Sequence, residues 1–217
     1  MRPSPLLFVL AGCTPITVHD QVVVGEILAV YVDIDAGDVS VRATATPDTR
    51  VDRTARGDVA LVQHVDNGIL RVEARCRTLL PCALDLTLDV PAGIPVDVHV
   101  GRGDVHVSDL DAELTIEVDE GDVTAFDLRA PTLRAQIGWG AARLAFLGAP
   151  GDVSVGVGVG DVVLTLPDVG YALDVACLGL RHIAIGDDPA GASVRARTAS
   201  GTVELRPAVL LAEVSAP

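Results

Sequence analysis

The amino-acid sequence predicts an all-β protein: a single-chain β-solenoid or β-helix-like stack of two-strand rungs, led in by an N-terminal hairpin region. Three observations carry that expectation. The apolar content is Val, Leu, Ala and Ile, with 3% aromatics and one Met, a mix that suits pleated strands. The triplet Gly-Asp-Val recurs at Gly37, Gly57, Gly103, Gly121, Gly151 and Gly160, with Gly-Thr-Val at Gly201. The residues after it alternate apolar and polar, the period of a strand with one buried face.

Taken in order, residues 1–12 carry one Arg, an apolar run and the small residues Ala11 and Gly12 ahead of Cys13. That is the layout of a secretory signal, and the run is far short of the roughly 20 residues needed to span a bilayer. Leu10-Ala11-Gly12-Cys13 also resembles the bacterial lipobox, which implies a lipid on the Cys13 thiol. Thr14 rather than Asp after it leans, by the same resemblance, towards the outer membrane. Residues 13–24 then read as a tether and 25–217 as one β-repeat domain, since no composition shift divides them.

The stretches from Gly25, Gly57 and Cys82 read as longer hairpins leading into the array. Cys76 and Cys82 bracket a five-residue gap between two alternating runs, so a disulfide there would close a hairpin. Cys177 falls in phase with Leu173 and Val175 and reads as an inert core thiol. From Gly103 onward the glycines at 121, 140, 160, 179 and 201 recur roughly every 19 residues, a repeat in the range of solenoid rungs. Val105 and Val107 share one face, as do Leu114, Ile116 and Val118, then Leu133, Ala135 and Ile137, then Val162, Leu164 and Leu166. Glycine suits a corner with positive φ, and Asp after it can bond nearby backbone amides. The tail beyond Arg206 loses the alternation and reads as a cap for an otherwise open sheet end.

Charge restricts the partners. The formal net charge is −14, and all 16 basic residues are Arg. Such a surface argues against nucleic acid, whose phosphates need a basic patch. A metal or acid–base pair at His99 and His106, with Asp97 and Asp104 near, is conceivable, but exposed histidines on a strand-turn-strand read first as plain surface. Asp at the corners is too intermittent for a calcium stack; a single calcium loop at Asp187 and Asp188 stays open. The tripeptide Arg102-Gly103-Asp104 reads as a corner rather than a receptor motif. No nucleophilic serine elbow is present, and neither a catalytic residue nor a cofactor is expected. The contact candidates are Trp139, the sole Trp, together with Leu79 and Leu80 at the tip of the cysteine loop. Partial burial of Trp139 against a neighbouring turn is the favoured reading, with stacking on sugars or a protein interface as the alternative.

The passage Val90-Pro91 to Pro95-Val96-Asp97-Val98, followed by the recurrent Gly-Asp-Val strands, resembles the bacterial putative adhesins of the β-strand-repeat type, relatives of the GIN head domains. The resemblance spans about residues 25–206. It implies a β-helix-like fold and export or lipid anchoring, and offers no catalytic residues to carry over. The expectation is an exported, lipid-anchored binding or scaffold protein of the cell envelope. It would be held to the membrane through Cys13, with a protein or polysaccharide partner. Two alternatives remain: a carbohydrate-active β-helix enzyme, which would need carboxylates converging in a groove, and an envelope-stress regulatory partner.

Overall fold

The computed structural model describes residues 16–23, 26–78 and 81–208. Among these there is no helix, and the chain runs through β1 (Ile16–Val23), β2 (Ala29–Ala36), β3 (Val39–Thr44), β4 (Thr49–Arg56), β5 (Val59–Asp66), β6 (Ile69–Cys76) and β7 (Ala83–Pro91). It continues with β8 (Val96–Arg102), β9 (Val105–Ser108), β10 (Leu114–Glu120), β11 (Val123–Leu128), β12 (Thr132–Trp139) and β13 (Ala142–Phe146). The last six are β14 (Asp152–Val159), β15 (Val162–Leu166), β16 (Tyr171–Cys177), β17 (Arg181–Ile183), β18 (Ala192–Ser200) and β19 (Val203–Pro207). They form two mixed sheets. A ten-stranded sheet is ordered β1-β4-β7-β3-β9-β11-β13-β15-β19-β17, and a nine-stranded sheet β16-β18-β14-β12-β10-β8-β2-β6-β5.

Alternation builds the core. In β10 Leu114, Ile116 and Val118 are buried while Glu117 is exposed; β12 does the same with Leu133, Ala135 and Ile137. The buried sets of both sheets merge into one apolar cluster. From β8 onward each strand of the nine-stranded sheet turns through a glycine into a strand of the other sheet. In the nine-stranded sheet these strands pair in parallel without slippage: Leu114 lies beside Val96 and Leu133, and Val153 beside Leu133 and Val194. Equivalent residues therefore stack in rows along each sheet.

The stack does not follow chain order at either end. The β18/β19 pair lies beside β14/β15, and β16/β17, earlier in the chain, is outermost. At the other end β2 and β3 sit between β6/β7 and β8/β9. The expected N-terminal hairpins are corrected here. Only β5 and β6 form one, closed by Asn67 and Gly68, both at positive φ, the preference of a two-residue hairpin turn. β2 and β3 belong to different sheets, as do β7 and β8. The antiparallel pairs of the ten-stranded sheet, β1 with β4 and β4 with β7, are not made between consecutive strands.

The Gly-Asp-Val triplet finds its explanation between the strand pairs. Gly121 has φ 151°, and a Cβ built on it would stand 1.9 Å from the carbonyl oxygen of Gly103 on the preceding layer. Both the backbone conformation and the neighbour's position call for glycine. The Asp that follows bonds across layers rather than locally, which corrects the sequence expectation. Asp104 Oδ1 accepts the Asp122 amide at 2.8 Å, Asp122 Oδ1 the Ala141 amide at 2.8 Å, and Asp38 Oδ1 the Asp104 amide at 2.9 Å. Gly151 is no corner of this kind, since the chain runs straight from it into β14. Replacing Asp104 with Ala is expected to cost about 1–2 kcal/mol, because it orphans the half-buried Asp122 amide. Asp104→Asn should cost less than about 0.5 kcal/mol, since its side-chain oxygen still accepts. Urea unfolding of the two variants checks this; equal losses would mean the carboxylate charge, not the bond, matters.

The cysteines fall partly as expected. Cys76 and Cys82 form a disulfide with Cα atoms 5.9 Å apart. It closes the corner between β6 and β7, which lie in different sheets, and so not a hairpin. Cys177 is only half-buried, on the outermost strand β16, with its Sγ 3.5 Å from the Leu180 carbonyl oxygen. In phase with Leu173 and Val175 as expected, it packs with them against the core, but at its edge, since β16 is the outermost strand among the described residues. Cys13, Leu79, Leu80, the signal-like residues 1–12 and the tail from residue 209 lie outside the described residues.

Candidate functional site

Parallel stacking lines up outward side chains from distant parts of the chain. Along the glycine-corner edge of the nine-stranded sheet they border an open groove of about 1120 Å³. It crosses β6, β2, β8, β10 and β12, and the disulfide-closed corner lies at one end.

At that end Arg75 of β6 grips Asp33 of β2 with two nitrogens, Nη1 at 2.9 Å from Oδ1 and Nη2 on Oδ2, and lies 3.5 Å from Asp35. His99 of β8 places Nδ1 3.2 Å from Asp33 Oδ1. Asp35 Oδ2 accepts the Cys76 amide at 2.8 Å, tying the disulfide corner to the groove. Arg56 closes the same end with a two-oxygen contact to Asp85 at 2.8 and 2.6 Å. In the middle Arg102 of β8 meets Glu120 of β10 at 2.9 Å. The next residue in that cross-strand row is Trp139 of β12.

Trp139 is 66% exposed, which corrects the expectation of partial burial. Its flanking residues Gly138 and Gly140 have no side chains to cover it. The groove floor is also bare backbone at Gly101, and Gly138 stands just before Trp139. A Cβ at Gly101 would stand 2.6 Å from the Asp35 carbonyl oxygen, and one at Gly138 2.5 Å from that of Asp119. The groove is thus an open strip of mixed charged and apolar lining with one projecting indole.

The electrostatics follow from these contacts. Hydrogen bonding from Arg75 holds the Asp33 carboxyl below its usual range, against the opposing effect of burial, and the charges of Arg75 and His99 push the same way. Beside it, burial and then the Glu117 charge raise Asp97, with His99 partly offsetting them. A depressed folded pKa stabilises above the unfolded value, and that contribution is lost as pH falls through the folded value. Asp33→Asn is therefore expected to cost about 1 kcal/mol at pH 7, discounted because Arg75 is partly exposed. The difference from the unaltered protein should shrink towards zero as pH drops below the carboxylate range. Chemical denaturation from pH 7 to pH 3 reads it; a gap independent of pH would mean that the pair is not its source.

Other expected sites are dispersed. His106 lies on the other sheet, by a small hollow of about 260 Å³ with Phe126 and Arg42, so His99 and His106 do not converge. Asp104 is spent on the Asp122 amide and Arg102 on Glu120, which builds the Arg-Gly-Asp tripeptide into the corner. Asp187 and Asp188 accept backbone amides of Leu173 and Ala190. Asp33, Arg75, Arg102 and Glu120 were missed at the sequence level. Each is one outward residue of an alternating strand, and nothing local tells which strands are neighbours.

An all-β chain of two open mixed sheets, with a charge-paired groove across five strands, is the class of protein that fold and site define. No family model and no curated protein sequence matches the chain. Among solved structures, it is similar to a putative cell adhesion protein from Clostridium sporogenes, with TM-score 0.56 and 11% identity over 90% of this chain and 100% of that one. It also matches a putative adhesin from Bacteroides fragilis, with TM-score 0.47 and 17% identity over 88% and 97%. The first of these shares the fold, and its name is of the kind that the sequence resemblance gave.

Proposed function

We propose that the chain is an adhesin-like binding or scaffold protein of the bacterial cell envelope, exported and lipid-anchored at Cys13, whose parallel strand pairs form a solenoid-like stack that displays the groove. The observation that carries the reading is the groove itself. Its three arginines are each paired with a carboxylate, Arg56 with Asp85, Arg75 with Asp33 and Arg102 with Glu120, so they offer hydrogen-bonding groups already in place. The fold shared with a putative cell adhesion protein and the lipobox resemblance support the same reading.

Two measurements test it in the native host. Mass spectrometry of the mature N-terminus should find acylated Cys13, and Cys13→Ala should move the protein out of the membrane fraction. A mature chain that is cut without acylation would overturn the anchor. The full chain should also sediment with isolated cell-envelope material, and Trp139→Ala should weaken that binding. Sedimentation that ignores Trp139 would overturn the groove as the binding surface.

A further inference from the structure

We infer that the groove takes an uncharged glycan chain, with Trp139 as the platform on which a sugar ring stacks. This rests on the binding role proposed above and adds the chemistry of the ligand.

Shape comes first. Crossing from β6 to β12 spans four strand spacings, about 19 Å at the usual interstrand distance. The strip is open along its length, which suits an extended chain better than a compact small molecule, whose pocket would enclose it. Backbone floors the strip at Gly101, where there is no side chain for a ligand to displace.

The exposed indole is the second observation. An apolar ring left 66% exposed beside two glycines has no packing role on its outer face. It presents a flat apolar surface with a polar edge, and pyranose rings present the complement, a face of C–H groups ringed by hydroxyls. The neighbouring Val159, 41% exposed and next in the same cross-strand row, extends the apolar step.

Charge decides between ligands. A sugar hydroxyl both donates and accepts, and each ion pair in the groove offers both partners side by side: carboxylate to accept, guanidinium to donate. Arg102–Glu120 stands next to Trp139 in its row, and Arg75–Asp33 lies further along. The pairing also holds these groups in place before the ligand arrives, which lowers the ordering cost of binding. Because the arginines are already matched, no free cation remains among them to attract an anionic glycan, and the net charge of −14 repels one. A basic peptide would find Asp38 and Asp119 outside those pairs, so the polylysine arm below is what separates it from a neutral glycan.

Since Trp139 is the only Trp in the chain, its emission reports the site directly. The full chain is titrated with neutral saccharides (glucose and N-acetylglucosamine hexasaccharides, and mannan), with polygalacturonate as the acidic arm and polylysine as the basic arm. The expected result is a saturable emission change with at least one neutral saccharide, unaltered by about 0.5 M NaCl, which shortens the screening length to about 4 Å. Affinity electrophoresis should then show binding weakened at least about tenfold by Trp139→Ala and Arg102→Ala, and largely retained by Trp139→Phe. Thermal melts confirm that the variants are folded. No response to any neutral saccharide, a response to polygalacturonate of equal strength, or a salt-sensitive response to polylysine alone would each overturn the glycan. If envelope sedimentation still depends on Trp139 in those cases, the binding role stands and only the ligand class falls.

Discussion

Replacing Gly121 with Ala is expected to destabilise the protein by about 4 kcal/mol, among the largest effects that a single methyl group can have. Two costs combine there. The backbone sits at φ 151°, and the added Cβ would meet the Gly103 carbonyl oxygen at 1.9 Å. That oxygen belongs to the adjacent strand pair, so relief would require the layers to part. Two other glycines separate the costs. Gly93 has φ 80° with nothing within 4 Å of a built Cβ, so Gly93→Ala should cost only about 1 kcal/mol for the conformation. Gly148 would place its Cβ in ordinary contact with Arg129, so Gly148→Ala should change stability by less than about 1 kcal/mol. Urea melts of the three variants decide the matter. Equal losses at Gly121 and Gly93 would show that conformation alone, and not the neighbouring layer, demands glycine at the corners.

Phe146→Ala should cost about 3–5 kcal/mol, the range for an emptied aromatic core position, while Phe126→Ala should cost less than about 1 kcal/mol. The two residues lie on neighbouring strands of one sheet, yet Phe146 is 1% exposed and Phe126 47%. A register irregularity between Ala125 and Leu128, with Asp127 at φ 57°, separates them. Strict alternation in β11 would point Phe126 out, Asp127 in and Leu128 out. The left-handed turn at Asp127, which Asp tolerates better than most residues, brings Leu128 inward beside Phe146 and leaves Phe126 outside. Comparable losses from both substitutions would mean that Phe126 is covered by something in solution.

The candidate site was far less legible than the core. Trp139 was singled out as the sole Trp, and its neighbours Gly138 and Gly140 leave it uncovered. Its companions were not singled out. Asp33 and Arg75 are 42 positions apart, and both stand on strands whose outer faces carry many similar charges. In a parallel pair without slippage, each outward residue meets its counterpart on the next strand, so identifying the neighbour requires the order of strands. That order is not the chain order at the ends: β2 separates β6 from β8, and without that insertion Asp33 would not lie between Arg75 and His99.

What the sequence determined by itself is therefore what period-two alternation and backbone sterics can encode locally. The inward residues of β10, β12 and β15, the all-β class and the glycine corners at 121 and 160 follow from short windows, because a buried face and a positive φ are properties of a few consecutive residues. The tertiary structure alone decided which strand pair lies against which, that Asp104 and Asp122 bond amides one layer away, and that the Cys76–Cys82 bond joins two sheets. It also decided that five strands bring Arg75, Asp33, His99, Arg102, Glu120 and Trp139 to one groove. The physical reason is that every strand pair offers its neighbours much the same apolar interior and the same backbone hydrogen-bonding edges. Local pattern makes each pair stackable, and only the balance of contacts across the whole stack selects the order.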